Sequence, residues 1–380
     1  MSELLKKSEM TEMEEERSVF KIVLLTSASF AGYNIGSGFA TGIEALQFFG
    51  SWGVLHAFIG IAIALVFTAV VLSVVYLTGY EQQFGDNKQI YRYFCGKRAG
   101  TIFDYYIYIS MILVTLTMMS GAGATINQYS GLPTYAGTTL MGIMCVIASL
   151  LDLEKLRKIL SYMCILVILF VLSFGVYAAF ASDAGLIQGS AKVEQYVASG
   201  QILRISAFGI INPYLNGLAS AGLIITSGFA WASATGSLCK SRKEAVLSGV
   251  FSSVLFYILT AVVVCLMLIS IDQVADKEVP MLAIIQYFLP ELSVVYSCII
   301  ILAIFSTISG RLFLIGERYG HGNKKLGLAI ATGITVFASV GASFIAFSKI
   351  SNMMFSIFGT VGIVLGVIVL TRFCISKHTT

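Results

Sequence analysis

Apolar stretches of about twenty residues follow one another along nearly all of this 380-residue chain. A helix of that length rises about 30 Å, the thickness of a bilayer's hydrocarbon core. No feature limits the fold more, because a backbone in lipid must satisfy its own N–H and C=O groups, which leaves helices or closed barrels. A barrel would need alternating segments of about ten residues, and these runs are longer and uniformly apolar. Composition agrees: 57% of residues are hydrophobic, 12% are charged, and the mean hydropathy is +0.87. The expected fold is therefore an all-α integral membrane protein in contact with the lipid bilayer.

The stretches predict ten transmembrane helices, near residues 19–49, 51–80, 101–129, 132–151, 156–181, 205–238, 244–271, 292–317, 326–347 and 351–373. Residues 1–18 read as a polar cytoplasmic tail with no signal-peptide pattern, residues 19–373 as one transmembrane domain, and residues 374–380 as a second cytoplasmic tail. With the N-terminus inside, twenty of the twenty-four Lys and Arg residues fall on the cytoplasmic side, leaving Lys192, Arg204, Lys277 and Lys349 outside. That asymmetry predicts a multi-pass protein of the cell (inner) membrane with both termini cytoplasmic. It also accounts for the net charge of +4 without a nucleic-acid partner. The outer segment from Pro280 to Tyr287 reads as a short helix, a candidate lid. Seven cysteines and three dispersed histidines show no metal-ligand or catalytic spacing, and no hydrolase or phosphate-loop motif is present, so an enzyme is not expected. Oligomeric state is not legible.

Ser37-Gly38-Phe39-Ala40 recurs as Ser227-Gly228-Phe229-Ala230, 190 residues later. The two copies sit at corresponding positions of two five-span halves, 19–181 and 205–373, and an odd number of spans inverts one half relative to the other. Paired interruptions in inverted halves point to a transporter's central site. In the first span Gly32, Gly36, Gly38 and Gly42 crowd eleven residues. Each glycine costs about 1 kcal/mol in a helix interior, so unwinding near residues 35–38 is expected, with freed N–H groups suited to a carboxylate and freed carbonyls to a cation. Close helix packing is the other account of such glycines. In the sixth span the break is expected at Thr226-Ser227-Gly228-Phe229, with Asn212-Pro213 through Gly217 as the alternative. In the eighth, Ala303, Ser306 and Thr307 share a helix face and offer oxygen ligands to a hard cation, unless the hydroxyls bond back to their own helix.

The segment Ala31-Gly32-x-x-Ile35-Gly36-x-Gly38 resembles the first helix of the neurotransmitter:sodium symporters. Thr226 to Ala230 resembles their sixth-helix break, and Ala303-x-x-Ser306-Thr307 their eighth-helix sodium motif. The run from Gly36 to Phe49 is similar to the YkvI-type membrane proteins of the same amino acid/polyamine/organocation superfamily. The resemblance implies a five-plus-five inverted repeat with the first and sixth helices broken at mid-membrane. It implies a sodium ion held by the Gly32, Ile35 and Ala303 carbonyls with the Ser306 and Thr307 hydroxyls. It also implies a solute carboxylate met by Gly36, Ser37 and Gly38 and capped by Phe229. Tyr33 stands where those symporters have asparagine and Gly42 where they keep a gate arginine, so a second sodium site and that gate are not expected.

Three ionisable residues complete the expectation, since charge inside a membrane is costly unless paired or wet. Glu44 is a candidate for binding a proton or a cationic group, or else it faces water at the outer interface. Arg311, one turn from Thr307, replaces sodium, locks an inner gate, or snorkels to the interface. Asp104 is an interface or inner-gate candidate. Together these features predict a secondary transporter: sodium-coupled symport of a small zwitterionic or carboxylate-bearing solute, such as an amino acid or related amine, by alternating access. The alternatives are a proton-coupled or sodium-independent carrier, or a transporter-like sensor. No cofactor beyond the coupling sodium ion is implied.

Overall fold

The structure, a computed structural model, describes residues 19–84, 88–148, 153–181, 185–320 and 323–378. The predicted tail at 1–18 and the last two residues lie outside these. The described chain is helical, its only bridge being the isolated pair Ala207 and Ile210. Among the described residues seven helical stretches are long and apolar enough to cross a membrane, and two shorter apolar ones occupy Thr134–Ile147 and Leu166–Ala178. The protein is an all-α, multi-pass membrane protein.

In chain order the helices are α1 (19–34), α2 (Ser37–Thr41), α3 (Ile43–Phe48), α4 (Gly53–Gln82), α5 (Lys88–Ser130), α6 (Thr134–Ala148), α7 (Leu153–Ala181) and α8 (Leu186–Ala198). They continue with α9 (Pro213–Gly236), α10 (Arg242–Ile269), α11 (Ile271–Val274), α12 (Pro280–Phe288), α13 (Ser293–Gly320), α14 (Lys324–Ala342) and α15 (Phe347–His378). The first predicted span is thus three pieces. Gly36 is extended, and its N–H bonds to the Asn34 carbonyl at 2.9 Å, so the Gly32 carbonyl loses the donor that a continuous helix would supply. Gly42 ends α2 with φ +81°, and a Cβ there would lie 2.4 Å from Met267 Cε. Both the left-handed backbone and the lack of room demand glycine.

The sixth span corrects the expectation. α9 runs unbroken through Thr226–Phe229, because one glycine costs only about 1 kcal/mol, too little to outweigh the loss of backbone hydrogen bonds in lipid. The Asn212-Pro213 pair that offered an alternative break is instead the helix start: Asn212 Oδ1 accepts from the Tyr214 and Leu215 N–H groups, and Pro213 occupies the first turn. The span therefore begins at 213 rather than 205. Two segments between the predicted spans are helical as well: residues 88–100 are the start of α5, which turns at Gly96 (φ +76°), and Leu186–Ala198 is α8. The expected outer helix is present as α12, with Met281 to Ile285 buried.

Small residues let the helices close around the centre. A Cβ on Gly222 of α9 would lie 2.1 Å from the Gly359 carbonyl oxygen of α15, so these two backbones touch, as small residues permit in membranes. At the C-terminal end of α3, polar side chains form a seal. Gln47 Nε2 donates to the Ser348 carbonyl at 2.9 Å, Asn352 Nδ2 to Gln47 Oε1 at 3.3 Å, and the Glu278 carboxylate accepts from the Ser348 N–H (2.6 Å) and hydroxyl (3.0 Å). Arg204 joins it, donating to the Ser51 carbonyl and Glu194 while stacking 4.0 Å from the Trp52 ring.

Candidate functional site

The break in the first span works as a wall. Without a helix between Asn34 and Ser37, the chain opens a cavity of about 150 Å³ between α1–α3 and the helices α5, α9, α13 and α15. A dry cavity of roughly that volume admits one benzene ring, so the space suits a solute of about six heavy atoms. Gly36 meets α13 at the cavity's middle: a Cβ on it would lie 3.6 Å from Thr307 Oγ1. The break and the eighth-span hydroxyl, 271 positions apart in sequence, are therefore neighbours.

Asn34 ties the broken end to α9. Its Nδ2 donates to the Phe30 carbonyl at 3.0 Å, and its Oδ1 lies 2.5 Å from the Ser227 hydroxyl. That hydroxyl has one proton and also reaches the Leu223 and Ile224 carbonyls of its own helix, at 2.9 and 3.2 Å. Ser227 thus lines the cavity while its proton is shared locally. Thr226 lines it too, its hydroxyl 3.4 Å from the Phe358 carbonyl of α15.

The cavity's two charged walls are Glu44 and Arg311. Glu44, on α3, is 8% exposed, with Oε2 against Gly38. No hydrogen bond or ion pair reaches it among the described residues, and it does not face water at an outer interface. Arg311, on α13, does not snorkel outward. Its Nη1 folds back onto the Thr307 carbonyl at 3.1 Å, and among the described residues no acid pairs with it. The two ends differ in access. Tyr33, beside the Arg311 end, is 43% exposed, whereas Gly38, Glu44 and Phe355 at the other end are buried.

Gly36, Gly38, Thr226, Ser227, Thr307, Glu44 and Arg311 line this one cavity. The Ser37 side chain lies outside the described residues. Gly228 is buried against Phe30, where a Cβ would come within 2.5 Å. Phe229 is wholly buried and caps nothing: its ring packs 5.1 Å from Tyr91 and 5.9 Å from Phe94, so Tyr91 reaches the cavity and Phe229 backs it. With α9 unbroken, the helical turn carries position 229 away from the face bearing 223, 227 and 230. Ile35 and Ala303 are buried outside the cavity lining, and Gly32 is likewise not on it. The Ser306 and Thr307 hydroxyls both donate to the Ala303 carbonyl, at 2.8 and 2.9 Å. Asp104 is buried on α5, away from the cavity wall.

Sequence reasoning missed most of the remaining wall. α5 contributes Ile107, Ser110, Met111, Val114, Thr117 and Met118, a stripe with helical spacing that an all-apolar context conceals. α15 contributes Phe355 and Phe358, and Tyr33 stacks on Trp231 with ring centres 5.0 Å apart. Among the described residues no three His, Cys, Asp or Glu side chains converge as a metal would require.

This fold and cavity define a polytopic membrane protein with a charged internal site. No family model matches the chain. In sequence it is similar to the uncharacterized protein YyaD of Bacillus subtilis (strain 168), 25% identical over 356 residues that cover 91% of this chain and 95% of that protein. In structure it is similar to a manganese transporter of Eremococcus coleocola. A variant of that protein gives a TM-score of 0.47 at 16% identity, and a complex with an aromatic bis-isothiourea substituted compound gives 0.44 at 15%. Each match covers 96% of this chain and 72% of the other.

Proposed function

We propose that the protein is a secondary transporter that carries a small zwitterionic or carboxylate-bearing solute, such as an amino acid, by alternating access. One observation carries this reading: a cavity at the break of the first span, walled by a carboxylate and a guanidinium that have no ion-pair partner among the described residues. Buried charge inside a membrane is expensive, and its retention beside a cavity marks a solute or ion path. The ten-span, five-plus-five organisation and the cytoplasmic placement of both termini belong to the same proposal. The Lys and Arg asymmetry then puts the open, Tyr33 side of the cavity in the cytoplasm.

The geometry favours a carrier that works without sodium. A sodium ion among Gly32, Ile35, Ala303, Ser306 and Thr307 would sit about one helical turn from the Arg311 guanidinium. At ~5 Å and an effective dielectric of about 20, that repulsion is about 3 kcal/mol, a loss of roughly two orders of magnitude in affinity. Sodium coupling remains the second reading, favoured by the nearness of Gly36 to Thr307 and by the freed Gly32 carbonyl.

The test is alanine counterflow in proteoliposomes with sodium or choline as the external cation. Equal exchange in both supports a sodium-independent carrier. Exchange that needs sodium and is weakened by Thr307→Ala restores the sodium site. Binding without flux would replace the transporter with a sensor.

A further inference from the structure

Glu44 and Arg311 are opposite charges in one cavity, yet they do not pair with each other. Glu44 lies beside Gly38, at the buried end. Arg311 is anchored on the Thr307 carbonyl, and Thr307 stands level with Gly36. Both groups line the same cavity, with Gly36 and Thr307 meeting between them, so a solute carrying both a carboxylate and an ammonium group can reach one charge with each end.

Resting on the carrier reading above, we propose that these two residues set both the specificity and the polarity of binding. Arg311 takes the solute's carboxylate, and Glu44 takes its ammonium group. This assigns the carboxylate to a side chain of α13, not to the N–H groups of the short α2. The chemistry of the walls agrees. Gly36 keeps the middle of the cavity, and Gly38 its buried end, clear of side chains, and Phe355 and Phe358 form an apolar wall for a small side chain. The guanidinium presents paired donors in a plane that matches a carboxylate. The carboxylate of Glu44 has unused acceptors at the buried end of the cavity, where an ammonium group would satisfy it and leave no buried charge unmatched.

The experiment compares binding of alanine with binding of ethylamine, which keeps only the ammonium group, and of propionate, which keeps only the carboxylate. Purified wild-type protein should bind alanine at least tenfold better than either fragment. Glu44→Gln should lose alanine affinity at least tenfold and accept propionate as well as alanine. Arg311→Gln should do the reverse, accepting ethylamine as well as alanine. Glu44→Asp and Arg311→Lys keep each charge and should keep the wild-type order of preference. Melting temperature and size-exclusion profile establish that each variant is folded, and these two conservative variants stand in if a neutral one is not.

The polarity is overturned if Glu44→Gln comes to favour ethylamine, if both neutral variants favour the same fragment, or if neither loses alanine. If wild-type protein exchanges alanine across liposomes while the fragments do not divide in this way, the charge assignment falls and the carrier reading stands. If wild-type protein neither binds nor exchanges alanine or any other common amino acid, both fall together.

Discussion

A methyl group placed on Gly38 separates a solute cavity from mere close packing. The new Cβ would lie 3.0 Å from Glu44 Oε2 and 3.0 Å from Phe355 Cζ, both far ends of flexible side chains. Each needs to yield only a few tenths of an ångström, so Gly38→Ala should change stability by no more than about 1 kcal/mol, part of it recovered from alanine's better helix propensity. The cavity loses more. A methyl takes roughly 30 Å³, as much as one water occupies in the liquid, which is about a fifth of the 150 Å³ present. A pocket one methylene too tight discriminates by about 1–3 kcal/mol, or 10- to 200-fold. Competition against counterflow in proteoliposomes, with glycine, alanine, 2-aminobutyrate and norvaline, should therefore shift toward the smaller members in the variant. Melting temperature should stay within a few degrees of wild type. An unchanged competition order in a protein with unchanged melting would refute the placement of solute beside Gly38.

Gly222→Ala should behave in the opposite way. Its Cβ would meet backbone, 2.1 Å from the Gly359 carbonyl oxygen, and overpacking of that kind costs about 1–3 kcal/mol. Gly310→Ala, with nothing within 4 Å, is the matched control, and equal melting of the two variants would contradict the α9–α15 contact. Outside the long apolar helices, Asp272 accepts a hydrogen bond from Lys192 at 2.5 Å and one from Tyr196 at 2.8 Å, which together hold its carboxyl below the ordinary carboxylate range. A lowered carboxylate pKa adds stability at neutral pH that is lost as pH falls through the lowered value. Asp272→Asn should accordingly flatten the fall in melting temperature between about pH 5 and pH 3, and an identical acid limb in wild type and variant would remove Asp272 from that role.

Much of the fold was legible because apolar length is a one-dimensional signal, and the first-span break was legible because four glycines accumulate where a helix pays for each. The sixth-span break was misread. The four-residue echo carried the expectation from one span to the other, yet position 228 alone supplies glycine there, and backbone hydrogen bonds in lipid outweigh it. The same error placed Phe229 in the site. Pro213 marked a helix start, a role its neighbour Asn212 announces through capping chemistry. Glu44 and Arg311 stood out by being charged, but only side-chain direction shows that they face one cavity. The Ser110 to Thr117 stripe on α5 could not be told from lipid-facing surface, since almost every residue around it is apolar as well.

On the carrier reading proposed above, the polar cluster around α3 governs how solute is met from the two sides of the membrane. Gln47, Asn352, Ser348 and Glu278 are joined by four hydrogen bonds. At about 0.5 kcal/mol or more for each, parting all four would cost at least about 2 kcal/mol, so in a carrier that opens on that side by breaking them the open conformer would be no more than roughly one molecule in thirty. Apparent affinity measured there is weakened by the same factor, because binding must first recruit the rare conformer. Right-side-out and inside-out vesicles of the same protein should then report half-saturation concentrations that differ at least thirtyfold, although both read a single intrinsic site.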